Sequence, residues 1–118
     1  MRAIIVEGGK GPAEALKLGE APRPVPQPHE ILIRVAAAGV NRPDIAQREG
    51  NYPPPPGASE ILGLEVAGTV AEVGSAVTQW HGGERVCALL PGGGYAEYAV
   101  VDARHVLPVP DSLSLEQA

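Results

Sequence analysis

Residues 63–74 read GLEVAGTVAEVG. Small apolar residues fill the stretch, glycines bracket it, and the first of its two acids, Glu65, stands third. Leu64, Val66 and Val70 fall on one face of an extended chain, and Ala67, Ala71 and Val73 on the other. This predicts a strand buried on both sides, which suits a barrel or sandwich better than an open, one-sided sheet. Glu65 is the anomaly. A carboxylate among apolar neighbours needs a hydrogen-bonding partner or a shifted pKa.

The flanking sequence repeats the same kind of segment. RAIIVEG (2–8), EALKLGE (14–20), HEILIRVAAAGVN (29–41), ERVCALL (84–90), GYAEYAVV (94–101) and HVLPVP (105–110) read as strands, mostly separated by Gly- or Pro-rich turns. APRPVPQPHE (21–30) is an extended loop, since each proline removes a backbone donor. NYPPPPG (51–57) is a stiff polyproline-like segment. NRPDIAQREG (41–50) differs: Asn41 can cap a helix, Asp44 stands three residues on, and Gly50 can end it. The fold class read from this pattern is mainly β with a short helix.

The totals agree and exclude several functions. The 118 residues make one domain with room for a core. With one Trp, three Tyr and no Phe, that core must be Val, Leu, Ile and Ala. The net charge is −5, and only two of the nine basic residues lie after position 59. No basic stripe is available for phosphates, so no nucleic-acid partner is expected. No apolar run has bilayer-spanning length, and the first residues lack a signal-peptide pattern, so no membrane partner is expected either. Cys87 is the single cysteine and excludes an internal disulfide, which suits a cytoplasmic protein.

Three catalytic motifs are missing. No G-x-x-x-x-G-K-[ST], G-x-G-x-x-G or G-x-S-x-G occurs. Gly92, Gly93 and Gly94 follow a strand, but YAEYAVV after them has strand character, so the run makes a tight turn and would let backbone approach a substrate; it does not present a helix N-terminus to a pyrophosphate. His29, His81 and His105 are far apart in sequence, and one cysteine cannot build a four-cysteine zinc site. Near the end, Ser114 and Gln117 form an S-x-x-Q capping box. One helical turn is not stable alone, so the polypeptide is expected to continue into a further domain.

GLEVAGTVAEVG, read as G-x-E-x-x-G-x-V-x-x-V-G, resembles the signature of the medium-chain dehydrogenase/reductases. The stretch AAAGVNRPDIAQREGNYPPPPGASEILGLEVAGTV (36–70) is similar to the zinc-free quinone oxidoreductase (zeta-crystallin) branch, and LLPGGGYAEYAVV (89–101) extends the likeness. The resemblance covers essentially the whole chain. It implies that residues 1–118 form a GroES-like domain, a partly open β-barrel with short helices, and that a Rossmann domain binding NADPH lies downstream. It also implies that both first-domain ligands of the catalytic zinc are lost, because Asn41 and Leu64 stand at their positions. No metal is then expected.

The site expectations follow from that resemblance. Asn41 is either only a cap or a site residue whose amide donates to substrate carbonyl or cofactor. Tyr52 would lie near the nicotinamide, or simply pack on polyproline. Asn41 and Tyr52 are thus the candidate catalytic and cofactor-binding residues. Asp44, Leu64 and Glu65 would line the substrate pocket, Leu64 as apolar filler and Glu65 as a structural hydrogen-bonding group or a contact to the cofactor domain. Cys87 reads as a small core residue. The expected function is NADPH-dependent, zinc-independent quinone reduction by a homo-oligomer, a dimer or tetramer, on a quinone-like small molecule. Two alternatives stand beside it: another zinc-free reductase, such as an enoyl or alkenal reductase, and a non-enzymatic GroES-like assembly module.

Overall fold

The computed structural model describes residues 1–118. Seven strands and one helix follow one another: β1 (Arg2–Val6), β2 (Leu16–Glu20), β3 (Glu30–Ala38), α1 (Arg42–Glu49), β4 (Glu65–Val73), β5 (Arg85–Leu89), β6 (Tyr98–Asp102) and β7 (Val106–Pro108). Short 3-10 turns at Ala13–Ala15 and Ala103–His105 lead into β2 and β7. Each segment read as a strand contains one. The segment holding β6 is the exception in extent: the first part of GYAEYAVV forms a turn and a bridge up to residue 97 before its ladder begins.

The strands form a curled, mainly β half-barrel. Five of them pair antiparallel in the order β6–β3–β4–β5–β7, and β1 pairs antiparallel with β2. Residues 95–97 tie the two sheets together. Ile4 N–H donates to Tyr95 O at 2.8 Å, Glu97 N–H to Arg2 O at 3.1 Å, and Val35 N–H to Glu97 O at 2.9 Å. One core lies inside the curl, built from Ile31, Ile33, Val66, Val70, Val86 and Val101 with Trp80 closing it. Trp80 brings a polar atom into that core, and its Nε1–H donates to Ala103 O at 3.2 Å.

The expectation for β4 needs one correction. Val66, Ala67 and Val70 are buried, but Ala71 and Val73 are exposed. The cause is a β-bulge. Leu32 faces Glu72 and Ile33 faces Val70, so Ala71 is the extra residue. A bulge bends the strand and strengthens its twist, and here it carries the end of β4 away from the core. A second bulge at Ala36, between Val35 facing Gly68 and Ala37 facing Ala67, bends the other end of β3. That end leads into α1.

Candidate functional site

Helix α1 is short and polar, and eight residues cannot hold a helix by propensity alone. Its ends hold it. Asn41 is the N-cap in extended conformation, Pro43 sits in the first turn, and Gly50 closes the helix with φ +89°. Asn41 and Asp44 form a capping box in which Asn41 N–H donates to Asp44 Oδ2 at 3.0 Å. The helix turns polar groups inward. Asp44 is only 3% exposed and Gln47 is also buried, whereas Ile45 is 43% exposed.

Two more hydrogen bonds extend the cap into a chain of four residues. Asn41 Nδ2 donates to Glu65 Oε1 at 3.3 Å, and the Tyr95 hydroxyl donates to Asp44 Oδ2 at 2.5 Å. The chain Tyr95–Asp44–Asn41–Glu65 thus joins the turn before β6, the start of α1 and the start of β4. Glu65 is therefore an acceptor for the cap residue. Its carboxylate lies against Gly39, where an added Cβ would stand 1.9 Å from Glu65 Oε1. Gly39 N–H also donates to Glu65 O at 3.1 Å. Only glycine at 39 leaves room for the acid.

Burial acts on this chain of groups. Asp44 forms no ion pair, and its Oδ1 is buried without a hydrogen-bonding partner. Its charge is held by the two donors on Oδ2 and by the first turn of α1. Burial pushes the Tyr95 phenol well above its ordinary value, and the hydrogen bond to Asp44 and that group's negative charge push it further. Tyr95 therefore keeps its proton.

Asn41, Asp44 and Glu65, expected at the site, meet directly. Tyr52 and Leu64 form no side-chain hydrogen bond to them. Tyr52 is 50% exposed at the head of the proline segment. Leu64 is half-buried immediately before β4, with its carbonyl taking Leu90 N–H at 2.7 Å. Tyr95 and Gly39 were not anticipated. A tyrosine directly after a glycine turn, in a chain with an acid expected near a helix start, is the signal that could have found Tyr95, since a partly buried hydroxyl seeks an acceptor.

The glycine run 92–94 does bring backbone close, and what it meets is the chain itself. Gly93 N–H donates to Ile61 O at 2.8 Å, Gly94 N–H to Gly63 O at 3.1 Å and Tyr95 N–H to Leu62 O at 2.9 Å. Gly63, at φ +107°, would place a Cβ 2.7 Å from Gly94 Cα. This close approach delivers the Tyr95 ring to α1.

Glu65 also looks outward. Ala37, Ala67, Cys87 and Leu107 stand opposite one another across β3, β4, β5 and β7. They line a cavity of about 500 Å³ with Gly39, Glu65, Leu89 and His105. Leu89 and Leu107 remain 68% and 64% exposed there. Cys87 is half-buried on this open face and is not a member of the central core.

The donor set fits one end of a nicotinamide dinucleotide. An amide nitrogen carries two hydrogens, and Glu65 takes one of them. The other is left for an outside acceptor such as a carboxamide oxygen. Phosphates fit poorly, because the one helix N-terminus carries the buried Asp44 carboxylate, and the glycine turn at 92–94 runs on toward a strand. No three His, Cys, Asp or Glu side chains come together as a metal-holding group.

Residues 27–111 match the family of the alcohol dehydrogenase GroES-like domain. The chain is 40% identical to quinone oxidoreductase of Mus musculus over 99% of its length and 36% of that protein's. It is 34% identical to a trans-enoyl reductase of Aspergillus terreus, over 90% of this chain and 39% of that protein. Among solved structures, quinone oxidoreductase of Escherichia coli complexed with NADPH superposes with a TM-score of 0.85 at 33% identity, covering 99% of this chain and 35% of that one. The human synaptic vesicle membrane protein VAT-1 homolog-like protein superposes with a TM-score of 0.88 at 33% identity, covering 98% and 37%. The chain spans about a third of the length of the curated relatives it matches.

Proposed function

The chain belongs to the alcohol dehydrogenase GroES-like domain family of the medium-chain dehydrogenase/reductases, and on that premise we propose that it is the substrate-side domain of an NADPH-dependent, zinc-independent quinone oxidoreductase. The observation that carries the proposal is the anchored amide of Asn41. It is fixed through its backbone by Asp44 and through Nδ2 by Glu65, and it keeps one N–H free for a carbonyl oxygen. Identity to quinone oxidoreductases over the whole chain supports the same reading.

In this reading the nicotinamide, when bound, supplies the hydride. The tasks left to this domain are to orient two planar rings and keep water out. Asn41 orients a carbonyl edge, the exposed Tyr52 ring covers a ring face, and Leu64 adds apolar surface. Leu64 offers no metal-ligating atom where the family resemblance puts a zinc ligand. A quinone is already electrophilic and accepts hydride without a Lewis acid.

The test uses the full-length protein. NADPH oxidation is followed with quinones, before and after dialysis against a chelator. Quinone-dependent turnover that survives chelation is expected. Loss of turnover on chelation, restored by zinc, would refute the proposal. The Aspergillus terreus relative motivates a second reading, enoyl reduction. Turnover of an enoyl thioester with none of quinones would favour it.

A further inference from the structure

We propose that Tyr95 is a positioning residue for the Asn41 amide, acting through Asp44. The inference rests on the reading of Asn41 as the group that orients the substrate, and it concerns a residue that touches neither substrate nor cofactor in that reading.

The geometry has three parts. The first is a shared acceptor. Asp44 Oδ2 takes both the Tyr95 hydroxyl, at 2.5 Å, and the Asn41 N–H, at 3.0 Å. The other oxygen, Oδ1, has no partner, so every hydrogen bond that orients this carboxylate acts at Oδ2. Without the hydroxyl a single backbone N–H would hold it. An aspartate χ2 torsion is broad and two-fold, so the carboxylate would turn to share its donor between both oxygens. The cap would slacken, and the Asn41 side chain with it.

The second part is the rigidity of the support. Tyr95 is placed by backbone, through Tyr95 N–H to Leu62 O at 2.9 Å and Gly94 N–H to Gly63 O at 3.1 Å. Its carbonyl also accepts Ile4 N–H at 2.8 Å. The phenol therefore sits on a junction of three segments, while α1 is held by its caps and, at its far end, by Arg48, whose Nε donates to Gly11 O at 3.2 Å and whose carbonyl takes Gly11 N–H at 2.8 Å. The firm element holds the weak one.

The third part is what Tyr95 is unsuited to do. Burial and the neighbouring Asp44 hold its proton in place, so it serves poorly as an acid. Tyr52 differs in placement: it is half exposed and forms no side-chain hydrogen bond to this group. The two tyrosines divide the work, Tyr52 toward the ligand and Tyr95 toward the frame.

The experiment is a double-mutant cycle in the full-length protein, with a spectroscopic measurement beside it. Tyr95→Phe is expected to lower kcat for quinone reduction about tenfold and to leave KM for NADPH within about twofold. In an Asn41→Ala background the same change should cost nothing further, since its route to the substrate is gone. Losses that multiply, or an unchanged kcat in Tyr95→Phe alone, overturn the inference. If Asn41→Ala itself leaves turnover unchanged, the functional reading of Asn41 fails, and the hold of Tyr95 on the amide is then judged spectroscopically. Asn51, the other asparagine of residues 1–118, is exposed and serves as internal reference. In the wild type, 15N relaxation should show the Asn41 side-chain amide ordered and that of Asn51 mobile, and Tyr95→Phe should bring Asn41 toward Asn51. The wild-type comparison needs no variant to fold. An Asn41 amide as mobile as that of Asn51 would overturn the inference by itself.

Discussion

At the scale of single residues, the sequence carries half of each role. Asn41 is legible as a helix cap from its type and its spacing to Asp44, because capping is local chemistry. Its bond to Glu65 joins residues 24 positions apart, and no local pattern encodes that. Glu65 is legible only as an anomaly. Its partner and its space come from Asn41 and Gly39, which lie between the end of β3 and α1. Tyr95 has a consequence that can be measured. Its phenol is raised in the fold, through burial first and Asp44 second, while an unfolded tyrosine titrates near pH 10. A raised folded pKa means that the contribution is fully present below about pH 10 and is lost as pH climbs toward the folded value. Tyr95→Phe should cost stability at pH 8, by roughly 1 kcal/mol for a lost hydrogen bond. The gap between wild type and variant should narrow above about pH 10. Urea midpoints taken from pH 8 to 11.5 measure it, and a gap that stays constant or widens would refute the assignment.

At the scale of elements, the strands were readable because apolar runs between glycine and proline turns leave few alternatives. The misjudged part of β4 shows the limit. Ala71 and Val73 read as a second buried face, yet a bulge opposite Leu32 and Ile33 changes which side each residue meets. A bulge is a property of two strands together, and one strand's sequence does not contain it. Helix α1 inverts the usual expectation as well. A helix in a globular domain buries its apolar stripe, but this one buries Asp44 and Gln47 and leaves Ile45 exposed. Its stability comes from its caps and its inward hydrogen bonds. Ile45→Ser should therefore change unfolding free energy by less than about 0.5 kcal/mol. Asn41→Ala should cost about 1 kcal/mol as a lost cap, and more because Glu65 then loses its donor. Denaturant unfolding of both variants checks the order. A larger loss for Ile45→Ser would mean that the helix packs through its apolar residue after all.

At the scale of the whole molecule, the half-barrel separates two kinds of surface. Inside the curl, β-branched residues and Trp80 close a core that composition alone anticipates, since the chain has no Phe to build with. Outside, Ala37, Ala67, Cys87 and Leu107 form a cavity-lining row beside Glu65, and nothing in their alternation distinguishes that face from a core one. Cys87 reads as core because an unpaired cysteine usually behaves as a small buried hydrophobe, yet it lies half-buried on this face. The same division bears on the dinucleotide. In the proposed reading its ring end meets the Asn41 amide, but its phosphates need backbone N–H groups at a helix start and a positive field. This chain offers one helix start, already filled by Asp44, and a net charge of −5. Most of the affinity of a dinucleotide comes from its phosphate and adenine ends, so a domain that meets only the nicotinamide should hold it weakly. The 118-residue chain, checked for β structure by circular dichroism, is expected to bind NADPH no better than about millimolar, near 4 kcal/mol. Addition of salt should change this little, because no cluster of cations is being neutralised. Saturable binding in the micromolar range by calorimetry would show that the domain itself grips the phosphates, and would place the cofactor on the open face beside Glu65 and His105 instead of at the Asn41 cap.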